Sequence, residues 1–518
     1  MTFRITALFT LFLSLWVPTI SAAEDGERPN IIFLLTDDQR DGTIGAMGHP
    51  FVQTPHMDKL VDRGVRFTNT YIATPVCAQS RISLFTGLPE RVHGVGFSSI
   101  YNLSDEQWAQ SYPVLVREAG YHTGFIGKFG LLYHSFKAEE AFDFWYGHRG
   151  WTRFLPKDHN NADTRPYHQA KNDIITPIMG EAIEAFLESR PEDKPFCLSV
   201  SFNVPHGWQS QTMFTGYAGW QKLLRPASEN PKLKGHPIYD QLYRDLEISI
   251  PEDTATDPYR FIPKALMDQD KGRRNRTYPY NYDWQTCLEH HYRYYQQITG
   301  LDVVIGDLLE GLKQRGLDKN TVIIFASDHG LLMGEYGMGG KALLYDLASK
   351  IPCFIYDPML PESHRGREVE ELVSSIDITR TILDYAGVEA PSQMSGLSLR
   401  PLLVKDQNAA WRDELFLESL FTLRDTPFQE GIRRGPWKYI RMFDGKKHSD
   451  ANVDFAGRTP DFEQLFNLED DPGERHNLIE TYAGHPLLAE LREACAEQSN
   501  ALNETRRDYS GEFPQETR

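Results

Sequence analysis

The sequence predicts a doubly wound α/β domain followed by a smaller α+β domain. Four short apolar runs are continuous rather than alternating, as strands of a parallel sheet covered on both faces are. Helical patterns lie between these runs, which is the rhythm of a doubly wound sheet. After Pro401-Leu402-Leu403 the rhythm gives way to short segments of antiparallel character.

In chain order, residues 30–36 (NIIFLLT) are the first strand, rich in β-branched and large apolar residues and closed by polar ones. Residues 57–64 and 112–120 read as helices, and 123–126 as the second strand. A helix over 175–189 leads into the strand 196–202 (FCLSVSF). A long helix over 290–316 leads into the strand 321–327 (TVIIFAS). The segment 208–285 is rich in Pro, Tyr and charge without periodicity, and reads as an insertion or lid. Beyond it, 414–419, 431–434 and 438–442 read as strands and 486–505 as a closing helix. The expected domains are 24–404 and 405–518.

The length of 518 residues suits this two-part plan. Lys and Arg number 54 against 72 Asp and Glu, a formal charge of −18, so the summed field repels phosphate and disfavours nucleic acid and anionic membranes as partners. Residues 1–23 read as a cleaved signal peptide. Arg4 forms the basic start, 7–17 the apolar centre, and Ser21-Ala22-Ala23 the small-residue cleavage site. That apolar centre is shorter than the roughly 20 residues a membrane span needs. A periplasmic or secreted chain is therefore expected. Five cysteines are too few for a disulfide scaffold, and the odd count leaves one thiol without an intramolecular partner.

Polar residues gather where the apolar runs stop. The first strand ends in Asp37-Asp38-Gln39-Arg40, the second leads to Gly127-Lys128, the third to Pro205-His206 and the fourth to Asp328-His329-Gly330. Ligands of open parallel sheets bind at the carboxyl ends of strands, so these groups converge on one crevice. Singly, an Asp-Asp pair also suits a turn or a helix N-cap. Asp37, Asp38 and Asp328 together repel one another unless a cation lies between them, and hard oxygen donors suit Ca²⁺ or Mg²⁺ better than zinc or copper. His329 is either a nitrogen ligand or a hydrogen-bond partner.

Cys77-Ala78-Gln79-Ser80-Arg81 precedes the amphipathic stretch 82–85 (ISLF), so Cys77 lies at or near a helix N-terminus, with Arg81 four residues on along the same face. A buried structural thiol is the other reading of such a cysteine. With Thr86-Gly87 this segment resembles the formylglycine sulfatase motif C-x-P-S-R-x4-T-G. The similarity continues in order: Thr36-Asp37-Asp38-Gln39, Thr54-Pro55-His56-Met57-Asp58, Gly120-Tyr121 to Gly127-Lys128, Pro205-His206 and Ser327-Asp328-His329-Gly330. Further on stand Gly340-Lys341 with Lys350-Ile351-Pro352, and Leu465-Phe466-Asn467-Leu468 with Asp471-Pro472-Gly473-Glu474.

The resemblance implies an alkaline-phosphatase-like fold: a doubly wound, mixed but mainly parallel sheet with a smaller C-terminal α+β domain. It implies hydrolysis of sulfate esters, on a sulfated small molecule or glycan, with one Ca²⁺ held by Asp37, Asp38, Asp328, His329 and residue 77. It further implies that a formylglycine-generating or maturase enzyme oxidises Cys77 to formylglycine, and that Arg81, Lys128, His206 and Lys341 complete the catalytic set. Two departures stand out. Gln79 replaces the usual Pro or Ala, and the histidine often found two or three residues after the lysine is replaced by Gly130 and Leu131, leaving His134 as a distant substitute.

Other candidates rest on residue type alone. His148, Arg149 and Trp151 line a pocket or a solvated turn. Tyr278, Tyr280, Tyr282 and Trp284 form a sugar-stacking edge or one face of a strand, and Arg273, Arg274 and Arg276 a steering patch or a solvated face. Asn102, Asn275 and Asn503 begin glycosylation sequons. A phosphodiesterase or phosphonate monoester hydrolase of the same superfamily is the rival enzyme. A catalytically inactive binding protein follows if Cys77 stays unmodified.

Overall fold

The structure is a computed structural model. It describes residues 28–95, 103–130, 138–150, 152–162, 164–213, 229–267, 284–404, 410–420, 426–445 and 454–510. The proposed signal peptide, His134, the three arginines and the three tyrosines of 273–282, and two of the three sequons (Asn102 and Asn275) therefore lie outside the described residues, as does Trp151.

The strands in chain order are β1 (Asn30–Thr36), β2 (Val65–Tyr71), β3 (His122–Lys128), β4 (Phe144–His148), β5 (Phe196–Ser201), β6 (Thr321–Ser327), β7 (Leu332–Met333), β8 (Gly339–Gly340), β9 (Cys353–Tyr356) and β10 (Arg367–Ser374). Eight of them form one sheet in the order β10-β2-β9-β6-β1-β5-β3-β4. Every pairing is parallel except those of β9, which runs antiparallel to both β2 and β6. The sheet is mixed and mainly parallel, as expected.

β1 lies in the middle because both of its faces are apolar. Ile32 and Leu34 face a core closed by the helices Ile175–Ser189 and Trp284–Gln314, while Ile31, Phe33 and Leu35 face a second core closed by Cys77–Thr86, Tyr112–Glu118 and Ser375–Tyr385. Two cores on opposite sides of one sheet are the doubly wound arrangement. The C-terminal strands β11 (Glu414–Ser419), β12 (Phe428–Arg434), β13 (Trp437–Phe443) and β14 (Phe462–Asn467) form a separate antiparallel sheet. The helix Pro486–Ser510 covers one face of it through Leu488, Leu491 and Cys495.

Several motifs noted in the sequence are structural fasteners. Asp58 accepts hydrogen bonds from the Ala46 N–H at 2.8 Å and the Thr54 hydroxyl at 2.9 Å, which fixes the turn after β1. Glu474 accepts from the Asp346 N–H and pairs with Lys438 at 2.8 Å, tying the second sheet to the first domain. All five cysteines are buried thiols outside any disulfide. Asn503, the one described sequon asparagine, is 6 % exposed and bonded to Arg91 and Asp454, so it is not an accessible glycan acceptor. No helix among the described residues is long and apolar enough to cross a membrane.

Candidate active site

Strand register assembles the site. β1 and β6 pair from Asn30↔Thr321 to Thr36↔Ser327, so the residues that follow them, Asp37-Asp38 and Asp328-His329, emerge side by side. The Asp328 N–H donates to Thr36 O at 3.0 Å and the Asp38 N–H to Asp328 Oδ1 at 3.1 Å. Asp38 has φ 66°, in the left-handed region that Asp and Asn tolerate better than most residues. The Tyr294 hydroxyl donates to its carbonyl at 2.8 Å and holds it there.

One donor atom from each of Asp37, Asp38, Asp328 and His329 lies within 4.8 Å of the others, and all four residues are buried. The Cys77 sulfur falls outside this tight group. It sits nearby at the start of the helix Cys77–Thr86, 2 % exposed, as predicted from the amphipathic stretch. Arg81, one turn on, reaches back to Asp328 Oδ2 with Nε at 3.0 Å and Nη2 at 2.9 Å, and donates to Lys128 O at 2.8 Å and to the Ser201 hydroxyl.

Two lysines arrive from opposite sides. Lys128, the last residue of β3, places Nζ 2.5 Å from Asp37 Oδ2. Lys341, just after the β7–β8 hairpin, places Nζ 2.7 Å from Asp38 Oδ1 and 3.1 Å from His329 Nε2. His206, after β5, lies 3.6 Å from Asp38 Oδ2. His329 Nδ1–H donates to Gly330 O at 2.8 Å, which puts the lone pair on Nε2, where it accepts from Lys341.

The electrostatics follow from burial and proximity. Burial pushes Asp37 and Asp38 up, but the surrounding cations prevail. Lys128 leads at Asp37, held well below the carboxylate range, and His206 and Lys341 at Asp38, held at about 2. Asp328 goes the other way, to about 7, because burial and the charge of Asp37 outweigh Arg81 and Lys128. Burial depresses His206 to about 4 and His329 to about 3, so both imidazoles are neutral at pH 7. Three carboxylates thus face Arg81, Lys128 and Lys341. At a separation of 4 Å and an effective dielectric of 20, each like-charged pair costs about 4 kcal/mol.

The donor set fits a hard cation. The group offers three carboxylates and one lone-pair nitrogen, and Asp37 Oδ1 is buried without a hydrogen-bond partner. An orphaned anionic oxygen aligned with three other donors is what a metal ion satisfies.

Position 130, where the sequence departs from the motif, lies against Arg81. Gly130 has φ +89°, and a Cβ there would come within 2.5 Å of Arg81 Cδ, so the arginine stem occupies that space. His148 instead stands beside Lys128, its register partner across β3 and β4. Both of its ring nitrogens are engaged, Nδ1 with the Tyr167 hydroxyl and Nε2 with Asn203 Nδ2 at 3.0 Å. Arg149 is exposed, and Trp284 is half-exposed at the start of its helix. Ser201, Asn203, Tyr167 and Tyr294 escaped the sequence reading. Each is an ordinary polar residue near a strand end or in a helix, marked only by the fold around it.

Comparison with known proteins gives the same answer from a different direction. The family model described as Sulfatase matches residues 29–388, and that described as N-sulphoglucosamine sulphohydrolase, C-terminal, matches 334–501. The N-acetylglucosamine-6-O-sulfatase of Bacteroides thetaiotaomicron is 26 % identical over 95 % of this chain and 89 % of its own length. A protein solved in complex with its substrate D-glucosamine-2-N,6-O-disulfate shares the fold with a TM-score of 0.68 at 22 % identity, covering 94 % of this chain and all of the other. The phosphonate monoester hydrolase of Agrobacterium radiobacter also shares it, with a TM-score of 0.65 at 21 % identity over 92 % of this chain and 96 % of its own. Because the Sulfatase match takes in Asp37-Asp38, Asp328-His329, Cys77 and both lysines, the chain belongs to the sulfatase family of the alkaline-phosphatase-like superfamily and is a sulfuric ester hydrolase.

Proposed function

We propose that this chain is an exported, Ca²⁺-dependent sulfatase that removes sulfate from a sulfated carbohydrate, with Cys77 converted to formylglycine. The observation that carries the reading is the buried group of Asp37, Asp38, Asp328 and His329 beside a helix that starts at Cys77. These four residues and an oxygen of residue 77 hold the ion. Oxygen-rich, irregular donor sets favour Ca²⁺ over Mg²⁺, which demands near-octahedral geometry and keeps its waters. The ion's charge tips an otherwise balanced site positive, which answers how a chain of charge −18 receives an anion: by short-range contacts and not by its overall field.

Formylglycine at position 77 would supply, as its hydrate, two hydroxyls on one carbon, one a nucleophile towards sulfur and the other a means of releasing sulfate. The chain's own residues do the rest. Arg81 fixes Asp328 and faces residue 77. Lys128, Lys341 and His206 surround the sulfuryl oxygens and stabilise charge as it shifts. His206 is neutral at pH 7 and serves as an N–H donor, whereas Lys341, beside Asp38, faces the leaving oxygen and stabilises the charge that develops there. Exposed Arg149 stands at the rim for a second polar group of the substrate, and His148 supports Lys128 from behind. Cys77 and Gln79 are both inaccessible in the fold, so the maturing enzyme acts before the chain closes.

The carbohydrate substrate is supported by the sugar sulfates named for the relative and the structural neighbour. The phosphonate hydrolase neighbour keeps the rival in play, since a phosphonate monoester carries the same single charge as a sulfate ester. Turnover of a sugar 6-sulfate against the methylphosphonate of the same sugar separates them. A sulfatase prefers the sulfate in kcat/KM by about 100-fold or more; the reverse preference refutes the proposal.

A further inference from the structure

Lys341 and His329 are twelve residues apart in sequence and in contact in space because the chain between them folds back as a hairpin. β7 and β8 pair Leu332 with Gly340 and Met333 with Gly339, and the tip closes through Gly334 N–H to Met338 O at 3.0 Å and Met338 N–H to Glu335 O at 2.9 Å. Two two-residue strands make a weak hairpin on their own. Its tip is held from outside by Arg40, which pairs with Glu335 at 2.7 Å, and by two further remote parts of the chain that meet at Asp253.

The first is the insertion. The buried Asp253 carboxylate accepts from the Tyr336 N–H at 3.2 Å at the tip. Thr256 lies against the tip too: Gly337 has φ +68°, and a Cβ there would lie 2.3 Å from Thr256 O. The second is the loop that follows β14. Arg475 pairs with the same Asp253 carboxylate and sits 4.9 Å above the Tyr336 ring, and the Tyr336 hydroxyl donates to Gly473 O at 2.8 Å. Arg260 closes the pair from the insertion side. Tyr336 itself is in the left-handed region at φ 57°, a conformation a tyrosine holds only when its surroundings impose it, and its ring stacks on Tyr345 at 4.6 Å.

We infer that Asp253 is a positioning residue for Lys341: with Arg475 it clamps the Tyr336 tip, and the hairpin transmits that placement to the lysine that faces Asp38 and His329. The insertion and the C-terminal loop are then parts of the active site's support and not decoration around it. A clamp of this kind matters most where Lys341 matters most. The inference rests on the proposed role of Lys341 as the group that faces the leaving oxygen and stabilises the charge developing there.

The test compares the full-length formylglycine enzyme with Lys341→Ala and Asp253→Ala on a series of aryl sulfates that spans leaving-group pKa. Lys341→Ala slows poor leaving groups far more than good ones. Asp253→Ala does the same to a smaller degree, with about 10- to 100-fold loss of kcat on the poorest leaving group, little on the best, and KM nearly unchanged. Arg475→Gln removes the same ion pair from its half-exposed side and repeats the pattern if Asp253→Ala fails to fold. If Lys341→Ala shows no leaving-group dependence, the reading of Lys341 is wrong and the clamp falls with it. If Lys341→Ala shows the dependence while the clamp variants lose nothing, or lose a common factor on every substrate, the clamp alone is refuted.

Discussion

Asp38→Asn is expected to leave the protein folded, without bound Ca²⁺ and with kcat/KM reduced by about 10⁴-fold or more. Asp38 gathers more of the site than any other residue. Its Oδ1 lies 2.7 Å from Lys341 Nζ and 3.3 Å from His329, and its Oδ2 lies 3.6 Å from His206 and 3.4 Å from the Gly207 N–H. Removing its charge deletes one of three carboxylates from the donor group and frees Lys341 from its anchor. Asparagine is the cleaner substitution because Asp38 has φ 66°, a conformation that asparagine also adopts and alanine resists. Loss of activity in Asp38→Ala would mix backbone strain with lost charge. Metal content by elemental analysis, beside turnover, reads the effect. Wild-type metal content and turnover in Asp38→Asn would remove the metal assignment.

Cys77→Ser is expected to lower steady-state kcat by about 10³-fold or more while leaving the fold and the bound ion intact. Serine replaces sulfur with oxygen at the head of the same helix, so the 2 % exposed position keeps its packing. Its single hydroxyl can take a sulfuryl group from the substrate, but it has no second hydroxyl to expel sulfate. The enzyme should stop after one turnover, with a sulfuryl group added to its intact mass. A Cys77→Ser protein that turns over like the wild type would show that the second hydroxyl is not needed.

The four strands of the large sheet read from the sequence were legible because they are buried on both faces, as β1 is between two apolar cores. The others follow different rules. β10 (REVEELVS) is an edge strand whose Glu368, Glu370 and Glu371 face solvent, and charge along an edge, which discourages pairing with other chains, also hides the strand. β4 is the opposite edge. β9 has only four residues and runs against its neighbours, which no local pattern announces. The 208–285 segment shows no periodicity because its described part is turns and single helical turns. The hairpin it holds carries no local signal either.

The site divides in the same way. Asp37, Asp38, Asp328 and His329 stand out because charge directly after a buried strand is costly unless it has a task. Arg81 stands out through its spacing from Cys77. Ser201, which accepts from Arg81, and Tyr294, which holds the strained Asp38 carbonyl, are common residues whose part depends on contacts far apart in sequence. The replacement of the histidine is legible in the sequence, but the approach of the Arg81 stem to Gly130 is seen only in three dimensions.

Residue 77 itself gives the most direct test. Trypsin releases residues 67–81 as one peptide, since Arg66 and Arg81 flank it. Mass spectrometry of that peptide from active, natively produced enzyme is predicted to show a mass lowered by exchange of the Cys77 thiol for an aldehyde, despite Gln79 in place of Pro or Ala. Active enzyme in which every molecule keeps a free thiol at position 77 would contradict the account.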